Sequence, residues 1–280
     1  MGSNRMKKTA LTVLALCPLV VWATFDIATW SSSDGLVIGE HESRTWIPKD
    51  DPNCVAAYYM NSDGGNETDR SGEGNTLTQT DGTIPTTNSY PSGYSGTSRD
   101  FEKSETEYLA IAEASMSAGL DEATNALSLT AWIWVESSTS DGVIAAQYDN
   151  GANERAWRVR LNSSNGFTLN LSSNKTAVTT YNTDNSLVSD AAWTHIAMTY
   201  DGAAKQVIWY VDGSAVDTNT VNEPFLADSD DEFQVGCAPD TSYPFDGFID
   251  ELSVWNDVLT PAEVSSIKTS GLSGDAGGSD

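Results

Sequence analysis

The sequence predicts an all-β protein built as a two-sheet antiparallel sandwich or jelly roll, and three observations carry that prediction. The apolar residues fall in short runs that alternate with polar ones, which is the period of a strand with two distinct faces. The runs are punctuated by Gly, Asn, Asp and Ser, and a clear helix signal occurs once, near the C-terminus. Many strands followed by one short late helix do not fit the alternating order of an α/β fold.

Taken in order, the first run is 55–60. Leu127, Leu129, Ala131, Ile133 and Val135 then share one parity, with Ser128, Thr130, Trp132 and Trp134 on the other. Trp157, Val159 and Leu161 alternate in the same way with Arg158 and Arg160. Further runs cover 166–171, 193–200, 206–211 and 248–255, and Asp201-Gly202 and Asp212-Gly213 are turn signals at the ends of two of them. Thr260-Pro261-Ala262-Glu263 is a capping box with Pro at the first helical position, followed by Val264 and Ile267 at helical spacing. The Gly-, Ser- and Asp-rich end, 272–280, reads as a flexible tail.

Composition narrows the function. The chain has 280 residues, with 40 acidic against 14 basic and a formal charge of −26. That charge argues against nucleic acid, whose recognition needs a basic footprint, and against an anionic membrane surface. At the N-terminus, Arg5, Lys7 and Lys8 precede an uncharged apolar stretch ending in Val21-Trp22-Ala23, so 1–23 reads as an export signal. The alternatives are a retained anchor and a lipoprotein signal at Cys17, but Pro18 and Asp26 interrupt the apolar stretch and Leu16 stands where a small residue belongs. Cleavage after Ala23 removes three bases and no acid, leaving a charge of −29. The expected destination is extracellular or the cell surface. Cys54 and Cys237 remain after cleavage, and an even pair in an exported protein predicts a disulfide. Residues 24–52 form an N-terminal extension ahead of a domain spanning 53–271.

Seven motifs in register carry a resemblance: Asp69-Arg70-Ser71-Gly72-Glu73-Gly74-Asn75, Arg99-Asp100-Phe101, Ala131-Trp132-Ile133, the stretch 193–202, Tyr210-Val211-Asp212-Gly213, the stretch 245–252, and the stretch 259–264. In order and spacing they resemble the laminin-G-like jelly roll of the concanavalin A-like lectin and glucanase superfamily, to which pentraxins are also similar. The resemblance implies a jelly-roll sandwich and leaves activity open, because this fold hosts sugar binders, adhesins, hydrolases and lyases. It also implies a structural calcium at the sandwich rim, with Asp69, Asn75 and Asp250 at the matching positions. The alternative for Asp69 and Asn75 is plain turn bonding to the backbone.

Hydrolases of this superfamily that resemble laminarinases carry an E-x-D-x-x-E strand, since a retaining mechanism needs two carboxyl groups about 5 Å apart. The sequence lacks that cluster, and its only histidines are His41 and His195, so catalysis is not expected. For a sugar ligand, an aromatic platform with polar neighbours is the usual grip. Trp134 opposes the apolar row of its strand and invites a surface reading. Arg158 and Arg160 face away from Trp157 and Val159, and guanidinium groups suit carboxylates and sulfates. The expectation is a secreted, non-catalytic, lectin-like adhesion module that binds a polysaccharide or glycan, with an anionic one favoured by the arginines. The alternatives are a structural subunit of an extracellular filament or other homo-oligomer, assembled through 24–52, and a polysaccharide-degrading enzyme.

Overall fold

The structure, a computed structural model, describes residues 46–80, 83–121, 124–136 and 141–274. The expected export signal, residues 24–45 of the extension and residues 275–280 lie outside the described residues. Fifteen strands are present among the described residues: β1 Cys54–Tyr58, β2 Thr78–Thr80, β3 Thr86–Thr87, β4 Ser98–Phe101, β5 Tyr108–Ile111, β6 Ala126–Val135, β7 Gly142–Asp149, β8 Glu154–Leu161, β9 Phe167–Leu171, β10 Thr179–Asn182, β11 Trp193–Asp201, β12 Gln206–Val211, β13 Ser214–Thr220, β14 Phe233–Val235 and β15 Gly247–Trp255. They form two antiparallel sheets. One runs β13-β12-β11-β6-β15-β4-β3 with β1 also paired to β15, and the other runs β10-β9-β8-β7-β14-β5-β2. Each expected strand run is present.

The parity read from the sequence decides which side chains meet between the sheets. Leu127, Leu129, Ala131, Ile133 and Val135 point inward from β6 and meet Trp157, Val159, Leu161 and Leu169 from the facing sheet. Phe167 stacks on Trp209 at 5.2 Å with 7° between the rings. The hairpin joining β12 to β13 turns through Asp212 (φ 48°) and Gly213 (φ 78°), the two left-handed residues that a tight turn of this hand requires.

The helix Pro261–Ser270 closes the expected capping box: the Thr260 hydroxyl accepts the Glu263 amide, and the Glu263 carboxylate accepts the Thr260 amide at 2.7 Å. Its Val264 and Ile267 are buried on the outer side of the eight-stranded sheet with Ala57, Ala197, Tyr210 and Trp255. Burial of two such aliphatic side chains stabilises the docked helix by about 1.5–3 kcal/mol each. Trp46 packs at 5.8 Å from Trp255, and the Lys49 amide bonds the Leu272 carbonyl. The folded unit is thus wider than 53–271 at both ends, since 46–52 and Leu272 pack onto it.

The expected disulfide is not formed. Cys54 and Cys237 are both free and buried. Cys54 belongs to the cluster beneath the helix, and Cys237 donates to the Ser242 carbonyl beside the seven-stranded sheet. The two lie on opposite sides of a sandwich whose sheets alone are about 10 Å apart, beyond the reach of one S–S bond.

Candidate functional site

The outer side of the eight-stranded sheet is covered unevenly. The helix covers the end near Tyr210. Next to it, Tyr94 bonds the helix carbonyls of Ile267 and Lys268 and packs edge-on against Trp132, which in turn meets His195. Beyond this shelf lies a row of partly exposed aromatic side chains. In register, Trp193 of β11 faces Trp134 of β6, Trp134 faces Phe248 of β15, and Phe248 faces Asp100 of β4. The three rings converge, with centroids 6.1 Å apart for Trp134 and Trp193, 6.0 Å for Trp134 and Phe248, and 6.1 Å for Trp193 and Phe248. The Trp193 indole N–H is held by the Ser89 hydroxyl at 3.1 Å.

Two residues further along the same strands, on the same face by parity, comes a row of carboxylates: Glu136, Asp246 and Glu102. The Glu136 amide bonds the Asp246 carbonyl, and the Lys103 amide reaches the Asp246 carboxylate. Oxygens of Asp100, Glu102 and Glu136 lie within 4.8 Å of one another. Among the described residues, none of the four acids is in an ion pair, and Asp100 Oδ1 is buried without a hydrogen-bond partner. Burial, followed by repulsion from Glu102 and Glu136, raises the Asp100 carboxyl to about 6. Burial and the charges of Glu102 and Asp246 also push Glu136 up.

Trp134 therefore sits on a surface, as its parity implied, but Arg158 and Arg160 do not share it. They belong to β8 and project from the outer side of the opposite sheet, so the three expected ligand contacts split between two faces. Arg158 lies 4.2 Å from the Tyr148 ring and 4.9 Å from the Tyr243 ring, and its guanidinium donates to Asn170 and Ser242. Arg160 lies over Tyr243 at 4.6 Å and pairs with Asp141. Burial holds the Arg158 guanidinium below its ordinary range.

The three residues expected at a calcium do not fit one. Asp69 accepts the amides of Ala57, Ser71 and Asn75 and the Ser71 hydroxyl at 2.8–3.0 Å, which uses the four lone-pair sites of a carboxylate. The Asn75 side chain is spent on Val55 and Ser117. Asp250 accepts the Glu251 amide elsewhere on the sheet, and burial pushes its carboxyl well up, towards the neutral form that is a poor cation ligand. Turn bonding, the alternative for Asp69 and Asn75, is what the geometry shows. His195 is no better placed for chemistry: both ring nitrogens are buried without partners, and burial lowers it to about 3.

Trp193, Phe248 and the four acids were not singled out from the sequence. Phe248 and Trp193 do lie in the motifs at 245–252 and 193–202, with polar or core residues on either side, but only the cross-strand register brings them to Trp134.

Comparison with known proteins agrees with the fold. No curated protein sequence matches the chain. Among solved structures, it is similar to domain 4 of AbnA, an extracellular arabinanase of Geobacillus stearothermophilus described in complex with arabinotriose, at TM-score 0.56 and 21% identity, covering 77% of this chain and 98% of that one. It is also similar to the binding domain of Paraclostridial Mosquitocidal Protein 1 (TM-score 0.59, 14% identity, 77% of this chain and 52% of that one). A third is the botulinum neurotoxin serotype G binding domain (TM-score 0.59, 16% identity, 77% and 50%). The chain spans about half the length of the two toxin domains. A family profile described as the concanavalin A-like lectin/glucanases superfamily matches residues 103–265. With that match over more than half its length and the two-sheet sandwich in place, the chain belongs to the concanavalin A-like lectin/glucanases superfamily.

Proposed function

We propose that the protein is an exported, non-catalytic, lectin-like module that binds a glycan on the outer side of its eight-stranded sheet, with the Trp134–Trp193–Phe248 cluster as the stacking platform. The observation that carries the reading is that three partly exposed aromatic rings converge next to polar groups on a rigid sheet. Sugar rings stack on such surfaces through their C–H faces while side-chain oxygens take the hydroxyls. Export is supported by the basic and apolar leader. Among the described residues, no helix is long and apolar enough to cross a membrane. Of the similar solved structures, the two toxin domains are described as binding domains and the arabinanase domain is described in complex with arabinotriose, which supports binding over turnover.

An anionic glycan on Arg158 and Arg160 has weaker support. Arg160 is neutralised by Asp141, and Arg158 already donates to two side chains. The filament reading loses part of its basis because 46–52 pack on their own domain.

Affinity electrophoresis through immobilised polysaccharides, together with glycan arrays, tests the proposal. Wild type should be retarded, and Trp134→Ala should lose about five- to thirtyfold in affinity, since stacking on one ring is worth on the order of 1–2 kcal/mol. Equal behaviour of the two proteins on every glycan would remove the platform. Release of reducing ends from any polymer would make the protein an enzyme instead.

A further inference from the structure

We propose that this platform selects a positively charged glycan, a polymer of sugars bearing free amino groups, over neutral and anionic chains. The inference rests on the stacking role of Trp134 given above and adds the charge of the ligand. It stands on the juxtaposition of two rows on one face. The aromatic row Trp193–Trp134–Phe248 ends at Asp100, and the acidic row Glu136–Asp246–Glu102 runs beside it two residues further along each strand, about 6.7 Å away. A sugar ring stacked on Trp134 carries its substituents across that gap and over the carboxylates.

The four acids have no ion-pair partner among the described residues, and oxygens of three of them crowd within 4.8 Å. The charge at this spot is therefore uncompensated within the described protein. A neutral sugar laid over it removes water from the carboxylates and returns only hydroxyl hydrogen bonds. A uronate or sulfate adds a fifth negative charge. An ammonium group relieves the repulsion, donates charge-assisted hydrogen bonds to the carboxylates and gains attraction from the ring faces that flank it.

The test compares two ligands that differ only in the amine: a glucosamine oligomer and its N-acetylated counterpart of equal length, by isothermal titration at about pH 6, where the amine is protonated. Wild type should bind the amino oligomer about tenfold more tightly. Asp100→Asn combined with Glu136→Gln should bring the two ligands to within about twofold of each other, chiefly by weakening the amino oligomer. Because a strongly acidic protein attracts any polycation, Asp184→Asn combined with Asp228→Asn removes the same charge from exposed sites elsewhere, and that variant should keep the wild-type preference. A melting temperature at or above wild type in the cluster variant shows that it folds.

Equal affinity for the two ligands in wild type, or a preference that survives the cluster variant, overturns the charge selectivity and leaves the platform standing. A loss of preference matched by the distant variant also overturns it. Binding of either oligomer that requires calcium would assign the carboxylates to a metal ion and overturn it as well. Failure of both oligomers together with every neutral glycan would remove the platform and the selectivity at once.

Discussion

Arg99 is a fully buried guanidinium, and its surroundings show how one charge is kept inside an acidic protein. Its Nε pairs with Glu67 at 2.7 Å, its other nitrogens donate to Gln79, the Ile84 carbonyl and the Gly65 carbonyl, and Glu67 also accepts the Ser62 amide. Every guanidinium nitrogen has an acceptor, so the pair clamps Gly65, Glu67, Gln79 and Ile84 onto β4. Removing one partner leaves the other charge buried. Arg99→Ala should therefore cost about 3–5 kcal/mol in urea unfolding, and Arg99→Lys most of that, since an ammonium cannot serve the forked set. A cost below about 1 kcal/mol would show that these residues detach without consequence. At this scale one residue of the site was readable. The parity of β6 put Trp134 on a surface, while the bonds that occupy Asp69 and Asn75 depend on Ala57, Val55 and Ser117, up to 42 residues distant along the chain.

Four of the strands that could not be read share one property. β2, β3, β10 and β13 are polar strands, Thr-Gln-Thr, Thr-Thr, Thr-Thr-Tyr-Asn and Ser-Ala-Val-Asp-Thr-Asn-Thr, and they occupy the four sheet ends. An edge strand faces solvent on more than one side, so it has little reason to alternate and good reason to be polar. The central strands had to alternate, which is why each expected run is present. Among the missed strands β4, β5, β7 and β14 lie inside the sheets, but β4, β5 and β14 span three or four residues and β7 is buried at all but its last position, so none carries a clear period. The site depends on one junction of this kind. Gly247 opens β15 at φ 137°, and a Cβ there would lie 2.1 Å from the Trp134 carbonyl. Gly247→Ala should destabilise the fold by about 1–3 kcal/mol and weaken glycan binding as β6 and β15 move apart. Denaturant midpoints and the Trp134-dependent retardation, measured on the same preparation, check both.

At the scale of the molecule, burial has pushed carboxyl groups in one direction. Burial and neighbouring acids raise Asp100 and Asp231 to about 6, burial raises Glu251 to about 7, and Asp250, Glu107 and Glu136 are also raised. These groups hold protons in the folded chain that the unfolded chain releases near pH 4, so their contribution is full below that pH and is lost as pH rises towards 7. His195, lowered to about 3, works the other way between pH 3 and 6.5, but it is a single group. Stability should therefore fall from pH 5 to pH 7.5, by about 5 °C in melting temperature at low salt, and added salt should recover part of it by screening a net charge of −26. A melting temperature that rises over this interval would contradict the buried-acid account.

The two unpaired thiols give the sandwich a use that a cross-link would have removed. Burial raises both, Cys237 to about 11, so neither reacts readily while covered. One is shielded by the docked helix and the other by the loop that holds Arg158's partner. Alkylation rates at Cys54 and Cys237, read separately by mass spectrometry, thus serve as two clocks on one molecule, each timing the opening of its own side.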